Sequence, residues 1–95
     1  MAQVRRARDY EFSVELDRAI AAWEELTDVE HEIDGWRLED QIVFVEEWPL
    51  EEERLRRLAE LERAGAFSPG QRRLYQRLLR LVERQRPIID RLRSA

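Results

Sequence analysis

Three ionisable residues in the first half of the chain have a spacing that could bind a metal ion. Glu24, Asp28 and His31 follow one another at intervals of four and three residues, so a continuous helix would place them on one face. A carboxylate combined with an Asp-x-x-His spacing resembles half of a di-iron bundle site, which needs further ligands on other helices. His31 is the only histidine, so only a second copy of the chain would supply another. We expect a solvated acidic face here, with no bound metal or other cofactor.

The residues that most kinds of catalysis require are missing or poorly placed. The chain has no cysteine and no lysine, which removes thiol nucleophiles, zinc–thiolate sites and Schiff-base chemistry. Its serines are Ser13, Ser68 and Ser94, and none of them lies in a Gly-x-Ser-x-Gly elbow. Adjacent carboxylates such as Glu24 and Glu25 point apart on a helix, and there is no glycine-rich phosphate loop. We therefore expect a protein without enzymatic activity.

Charge is divided unevenly along the chain, although the net charge is only −4. Residues 11–53 contain sixteen acidic residues and two arginines, and carry −14. Residues 54–95 contain twelve arginines and four acidic residues, and carry +8. This division favours either pairing of arginines with carboxylates inside the protein or binding of a charged partner.

Hydrophobic periodicity predicts an N-terminal arm followed by four helices. Residues 1–12 show no clear period and are expected to form a frayed arm before a single domain of residues 13–95. The helices are predicted over about 13–33, 36–47, 50–64 and 69–93. With short loops between them, these helices predict an all-α fold, an antiparallel bundle of three or four helices with the last folded back on the third.

Capping residues mark the ends of these helices. Ser13 is a candidate N-cap of the first helix, and Pro49 suits the first turn of the third. Gly65 suits the position just after the third helix, where a left-handed conformation is common. Ser68 and Gln71 form the pattern of a capping box at the start of the fourth.

The segment between residues 28 and 48 has three interpretations. Asp34-Gly35 could separate two helices, or Gly35 could lie inside one long helix at a cost of about 1 kcal/mol. Asp34-Gly35 could also form the turn of a small hairpin, and the β-branched run 42–45 could be a strand. We prefer a helix because acidic residues flank that run, and whether residues 13–47 form one helix or two stays open. Residues at helical spacing support this choice, namely Leu38, Ile42 and Val45.

The C-terminal helix contains an apolar seam with a heptad repeat. Its members recur at alternating spacings of four and three, namely Leu74, Leu78, Leu81, Gln85, Ile88 and Leu92. Pro87 is expected to kink this helix because proline removes one intrahelical hydrogen bond. A polar residue such as Gln85 can fix pairing at some cost in stability, so Gln85→Leu is predicted to raise the melting temperature.

The seam, the tryptophans beside predicted helix breaks and the divided charge together predict a small non-catalytic protein-interaction module. Its partner would be a second copy of the chain, forming a homodimer, or another protein. The candidate contact residues are Trp36, Trp48, Leu74, Leu78, Leu81 and Gln85.

The alternative is a nucleic-acid-binding accessory or regulator that uses the arginine face of the C-terminal helix. Its candidate residues are Arg73, Arg77, Arg80, Arg84 and Arg91. The acidic segment 11–53 would repel a bound nucleic acid unless this segment faces away from the arginine face. No apolar run approaches the length of a membrane span and no signal peptide is recognisable, so we expect no membrane contact and a cytoplasmic location.

Overall fold

The computed structural model describes residues 2–94, and the side chains of residues 8–94. It contains four α-helices: α1 (Ala2–Glu32), α2 (Leu38–Glu47), α3 (Pro49–Arg63) and α4 (Pro69–Ser94), with a 3-10 turn at Ile33–Gly35. No strand occurs among the described residues, and the long C-terminal helix packs on the first. The all-α helical bundle that the periodicity predicts is therefore confirmed.

The first and last helices lie side by side and run in the same direction. Gln71 at the start of α4 hydrogen-bonds to Ser13, and Gln85, two heptads later, bonds to Thr27, two heptads beyond Ser13. α1 is the main packing partner of α4, a pairing that the sequence did not predict, since it predicted only that α4 folds back on α3. The reason is length, because α3 has 15 residues and α1 has 31, enough to cover the 26 residues of α4.

α2 and α3 together form the leg that runs in the opposite direction. Only Trp48 separates them, since α2 ends at Glu47 and α3 begins at Pro49. Trp48 contacts Trp23, and Arg57, further along α3, pairs with Glu15 at 3.3 Å. Since the position on α1 falls as the position on α3 rises, α3 is antiparallel to α1.

α1 begins much earlier than the sequence predicted. Residues 2–12, expected to form a frayed arm, belong to α1, and Ser13 lies inside the helix rather than at its N-cap. Ser13 is half-buried, and its Oγ accepts a hydrogen bond from Nε2 of Gln71 at 3.1 Å. Phe12 packs against the core while the nearby Tyr10 is 72% exposed, so these two apolar residues lie on different sides of α1 and form no stripe.

Of the three interpretations of residues 28–48, the structure shows the one in which Asp34-Gly35 separates two helices. After the 3-10 turn, Trp36 and Arg37 have extended backbone conformations, and the run 42–45 lies within α2. Gln41 Nε2 donates a hydrogen bond to the carbonyl oxygen of Trp36 at 3.0 Å. This bond holds the first turn of α2 against the extended connection.

Three capping predictions are confirmed. Pro49 is the first residue of α3. Gly65 has a φ of 69°, and the N–H groups of Gly65 and the next residue donate to the last carbonyls of α3, as in a Schellman motif. At the start of α4, the Ser68 N–H donates to Gln71 Oε1 at 2.9 Å and the Gln71 N–H donates to Ser68 Oγ at 3.2 Å. α4 then continues through Pro87 without ending.

Trp23 lies where α1, α3 and α4 meet. Its ring is fully buried, lies 4.9 Å from the Trp48 ring at 75°, and is covered by the Arg86 guanidinium at 5.1 Å. Arg86 donates two hydrogen bonds to the Glu52 carboxylate at 3.0 and 3.3 Å, and Trp48 Nε1 donates a third at 3.2 Å. Burial alone would raise the pKa of Glu52, but these hydrogen bonds and the charges of nearby arginines lower it below its ordinary value. This cluster joins the three helices.

Two buried glutamines of α4 make the same pair of contacts with α1. Each Nε2 donates to a main-chain carbonyl and to the hydroxyl one helical turn later. The contacts are Gln71 to Asp9 O (2.8 Å) and Ser13 Oγ (3.1 Å), and Gln85 to Trp23 O (3.2 Å) and Thr27 Oγ1 (2.8 Å). Because the two sets lie two heptads apart on both helices, they define the register of α4 on α1.

Gln85→Leu is still expected to raise the melting temperature, by about 4–8 °C for a gain of about 1 kcal/mol. Thr27 is exposed, so its hydroxyl keeps water as a partner, and the Trp23 carbonyl keeps its helical N–H. Gln71→Leu should instead lower the melting temperature, because Gln71 also caps α4. The expected loss is about 1–2 kcal/mol of the free energy of unfolding. Thermal unfolding followed by circular dichroism compares the two variants. A fall for Gln85→Leu would mean that its hydrogen bonds contribute more than apolar burial.

Candidate interaction surface

The apolar seam of α4, predicted to contact a partner, is covered by α1 of the same chain. Leu78, Leu81 and Gln85 are buried and Leu74 is half-buried. The seam is widened by three further buried side chains, namely Tyr75, Val82 and Ile89. α4 thus has two or three buried positions per heptad with half-buried residues beside them, as is typical of a helix packed into a globular core. A second molecule could not reach the part of this seam from Leu78 to Gln85 unless the bundle opened, so that part serves the fold of the single chain, whereas the half-buried Leu92 lies nearer the surface at the end of α4.

The two tryptophans predicted to contact a partner have different environments. Trp48 is only 4% exposed and belongs to the core cluster around Trp23. Trp36 is half-buried, and its ring meets the ring of Phe44 edge to face at 5.9 Å. Of the pair, Trp36 alone is within reach of another molecule.

α2 is the helix that leaves its apolar side chains most open to solvent. None of its ten residues is buried. Phe44 packs partly against the core, but Leu38 is 67% exposed and Ile42 is 46% exposed. α2 has apolar residues on more than one side, and the rest of the bundle covers only the side that carries Phe44.

A groove of about 390 Å³ lies between α2 and the C-terminal end of α4. Its apolar lining comes from both helices and from the 3-10 turn, namely Ile33, Leu38, Ile42, Val45 and Leu92. Its polar lining consists of Asp34, Gln41, Glu46 and Arg93. We refer to these nine residues as the α2 groove.

The residues of the α2 groove were not among the contact residues predicted from the sequence. Their signal was the helical spacing of Leu38, Ile42 and Val45, which indicates an amphipathic helix. Spacing identifies an apolar face but not the element that covers it, so the sequence did not distinguish this exposed stripe from the buried one in α4.

The acidic side chains of α2 form no ion pair with any arginine among the described side chains. Ion pairs among side chains 8–94 involve three carboxylates of α1 and three of α3, but none of α2. α2 itself contains no basic residue, and its acidic residues are Glu39, Asp40, Glu46 and Glu47. Arg93 is the one cation that lines the α2 groove. The surface around the groove is therefore predominantly negative.

The arginine face of α4 is only partly neutralised. Arg77 pairs with Glu24 at 2.8 Å, and Arg91 pairs with Glu30, so two of the five candidate nucleic-acid contacts bond to α1. The other three make no ion pair with any side chain in residues 8–94, namely Arg73, Arg80 and Arg84. Internal pairing across the bundle thus accounts for part of the divided charge.

The metal candidate does not form a cluster. Glu24, Asp28 and His31 are exposed, and Glu24 is bonded to Arg77. Within the described part of the chain, no group of three or more histidine or acidic side chains is close enough to hold a metal ion.

Comparisons with known proteins identify no relative of this chain. It matches no protein-family model, no curated protein and no solved structure. None of the helices in residues 2–94 has both the length and the apolar character needed to cross a membrane.

Proposed function

We propose that this protein is a small, non-catalytic interaction module that binds a partner protein through the α2 groove. The observation that carries the proposal is the exposure of Leu38 and Ile42 on a helix with no buried residue. A fully buried leucine or isoleucine stabilises a protein by about 1.5–3 kcal/mol, so leaving them exposed forgoes stability in a small domain. Contiguous apolar surfaces of this kind mark sites where proteins bind one another.

Site-specific photo-crosslinking in cells tests this proposal. A benzoylphenylalanine placed at Ile42 in the α2 groove should capture a defined protein, whereas one at Gln76 should not. Gln76 is the matched control because it is also exposed but lies on α4 among the arginines. Leu38→Asp should reduce capture from position 42 by ~10-fold or more, since loss of an anchor costs at least about 1.4 kcal/mol of binding.

The control for this experiment is the helicity and melting temperature of Leu38→Asp. Leu38 is 67% exposed, so both should stay close to those of the original chain. Equal capture from positions 42 and 76, or capture that Leu38→Asp does not change, would contradict the proposal. Crosslinks from Gln76 to nucleic acid would instead support the alternative function, in which Arg73, Arg80 and Arg84 contact phosphates.

A further inference from the structure

The α2 groove has the shape that a helix from another protein would occupy. Leu38, Ile42 and Val45 form one row on α2 at spacings of four and three residues, and Leu92 of α4 faces them across the groove. Two neighbouring helices with apolar side chains between them leave a channel for the apolar face of a third. α2 has ten residues and so is about 15 Å long, which matches about three turns of a bound helix.

The charge around the groove indicates which helix would bind. Three carboxylates of α1 and three of α3 are paired with arginines. The carboxylates of α2 make no ion pair with any side chain in residues 8–94. Asp34 and Glu46 line the groove itself, and Glu39 and Asp40 lie beside it in the first turn of α2. Arg93 offsets one of these charges, and cationic side chains on the incoming helix would satisfy the remaining excess of negative charge.

A second copy of this chain is a poor occupant. Pairing two α2 helices would bring their carboxylates together without any basic residue on either helix. The basic surface of α4 has the right charge, but among its described residues Leu79 is the only large apolar side chain that is exposed. One anchor cannot fill a groove lined by five apolar residues.

We infer that the α2 groove binds an amphipathic helix of a different protein, one in which arginine or lysine residues flank the apolar stripe. The inference rests on the proposed function and adds the chemistry of the partner. The apolar stripe packs between Ile42 and Leu92, and the flanking cations meet Asp34 and Glu46. Such a helix is complementary to the groove in both polarity and charge.

Three synthetic helical peptides test the inference with the full chain. All carry the same leucine stripe, flanked by arginine in the first, glutamine in the second and glutamate in the third. Fluorescence anisotropy of labelled peptides should show the arginine peptide binding ~10-fold more tightly than the glutamine peptide in about 50 mM salt. In about 500 mM salt, or with Asp34→Asn combined with Glu46→Gln, that advantage should fall to within about twofold. Glu60→Gln, a change of an exposed carboxylate on α3, is the matched control and should leave it unchanged.

The outcomes separate this inference from the proposed function. Equal, salt-insensitive binding of the arginine and glutamine peptides that is lost in Ile42→Asp would overturn the charge requirement and leave the groove as the binding site. Equal binding of the arginine peptide to Ile42→Asp and to the original chain would place it elsewhere on the acidic surface and overturn the inference. If none of the peptides binds, the α2 groove is not a helix-binding site and the inference is overturned, whereas the proposed function is contradicted only if position 42 captures no partner protein in the crosslinking experiment.

Discussion

Trp23→Ala is expected to lower the free energy of unfolding by about 3–5 kcal/mol and to leave much of the protein unfolded at physiological temperature. Trp23 is fully buried, so the substitution leaves a cavity that the surrounding helices fill only in part. It also removes the edge-to-face contact with Trp48 and the surface on which Arg86 lies. Urea unfolding followed by circular dichroism measures the change.

The matched control is Trp36→Ala, which makes the same substitution outside the core. Trp36 is half-buried, and among the aromatic rings it meets only that of Phe44, so a loss of about 1 kcal/mol is expected. If the two variants were equally stable, Trp23 would not be the residue on which α1, α3 and α4 meet. Trp23→Phe should give an intermediate loss, because the smaller ring keeps part of the contact with Trp48.

Pro87→Ala is expected to stabilise the protein by about 1–2 kcal/mol. Proline costs about 3 kcal/mol relative to alanine inside a helix, because it cannot donate to the carbonyl four residues earlier, that of Glu83, and it crowds the preceding turn. Two effects reduce the gain: proline also restricts the unfolded chain, worth about 0.4–1 kcal/mol, and α4 has already adjusted to its ring. Pro87 is exposed, so its replacement removes no core contact. The melting temperature should rise by about 4–8 °C for each kcal/mol.

Glu83→Ala is the control for that variant, since Glu83 is exposed on the same helix and should change stability by less than about 0.5 kcal/mol. A lower melting temperature for Pro87→Ala would show that proline at this position stabilises the native fold. In that case a local bend would direct the half-buried Ile88 and the fully buried Ile89 into the core, and straightening α4 would withdraw them.

Stability and binding depend on different residues in this protein. The core contacts lie along α1, α3 and α4, around Trp23 and the two buried glutamines, whereas the α2 groove contains mostly exposed side chains. Substitutions such as Leu38→Asp and Ile42→Asp should therefore change binding without unfolding the chain. This separation makes the proposed function testable by point mutation.

The elements with strong local signals could be predicted from the sequence. Pro49, Gly65 and the Ser68–Gln71 capping box act within a few residues of their own positions, and each is found at the predicted helix end. The start of α1 could not be predicted, because residues 2–12 lack a clear apolar repeat. Ser13, assigned as an N-cap, instead accepts a hydrogen bond from Gln71, 58 positions away in the chain.

The sequence by itself determined that the chain is helical, where most of its helices end and which faces are apolar, because periodicity and capping are local properties. Only the tertiary structure decided which apolar face is covered. α1 is long enough to bury the stripe of α4, including Leu78 and Gln85, whereas no described element covers the stripe of α2 that contains Leu38 and Ile42. It also decided that arginines of α3 and α4 pair with α1 and α3 and not with α2. Burial and charge pairing depend on which helices become neighbours, and the spacing of residues along one helix does not contain that information.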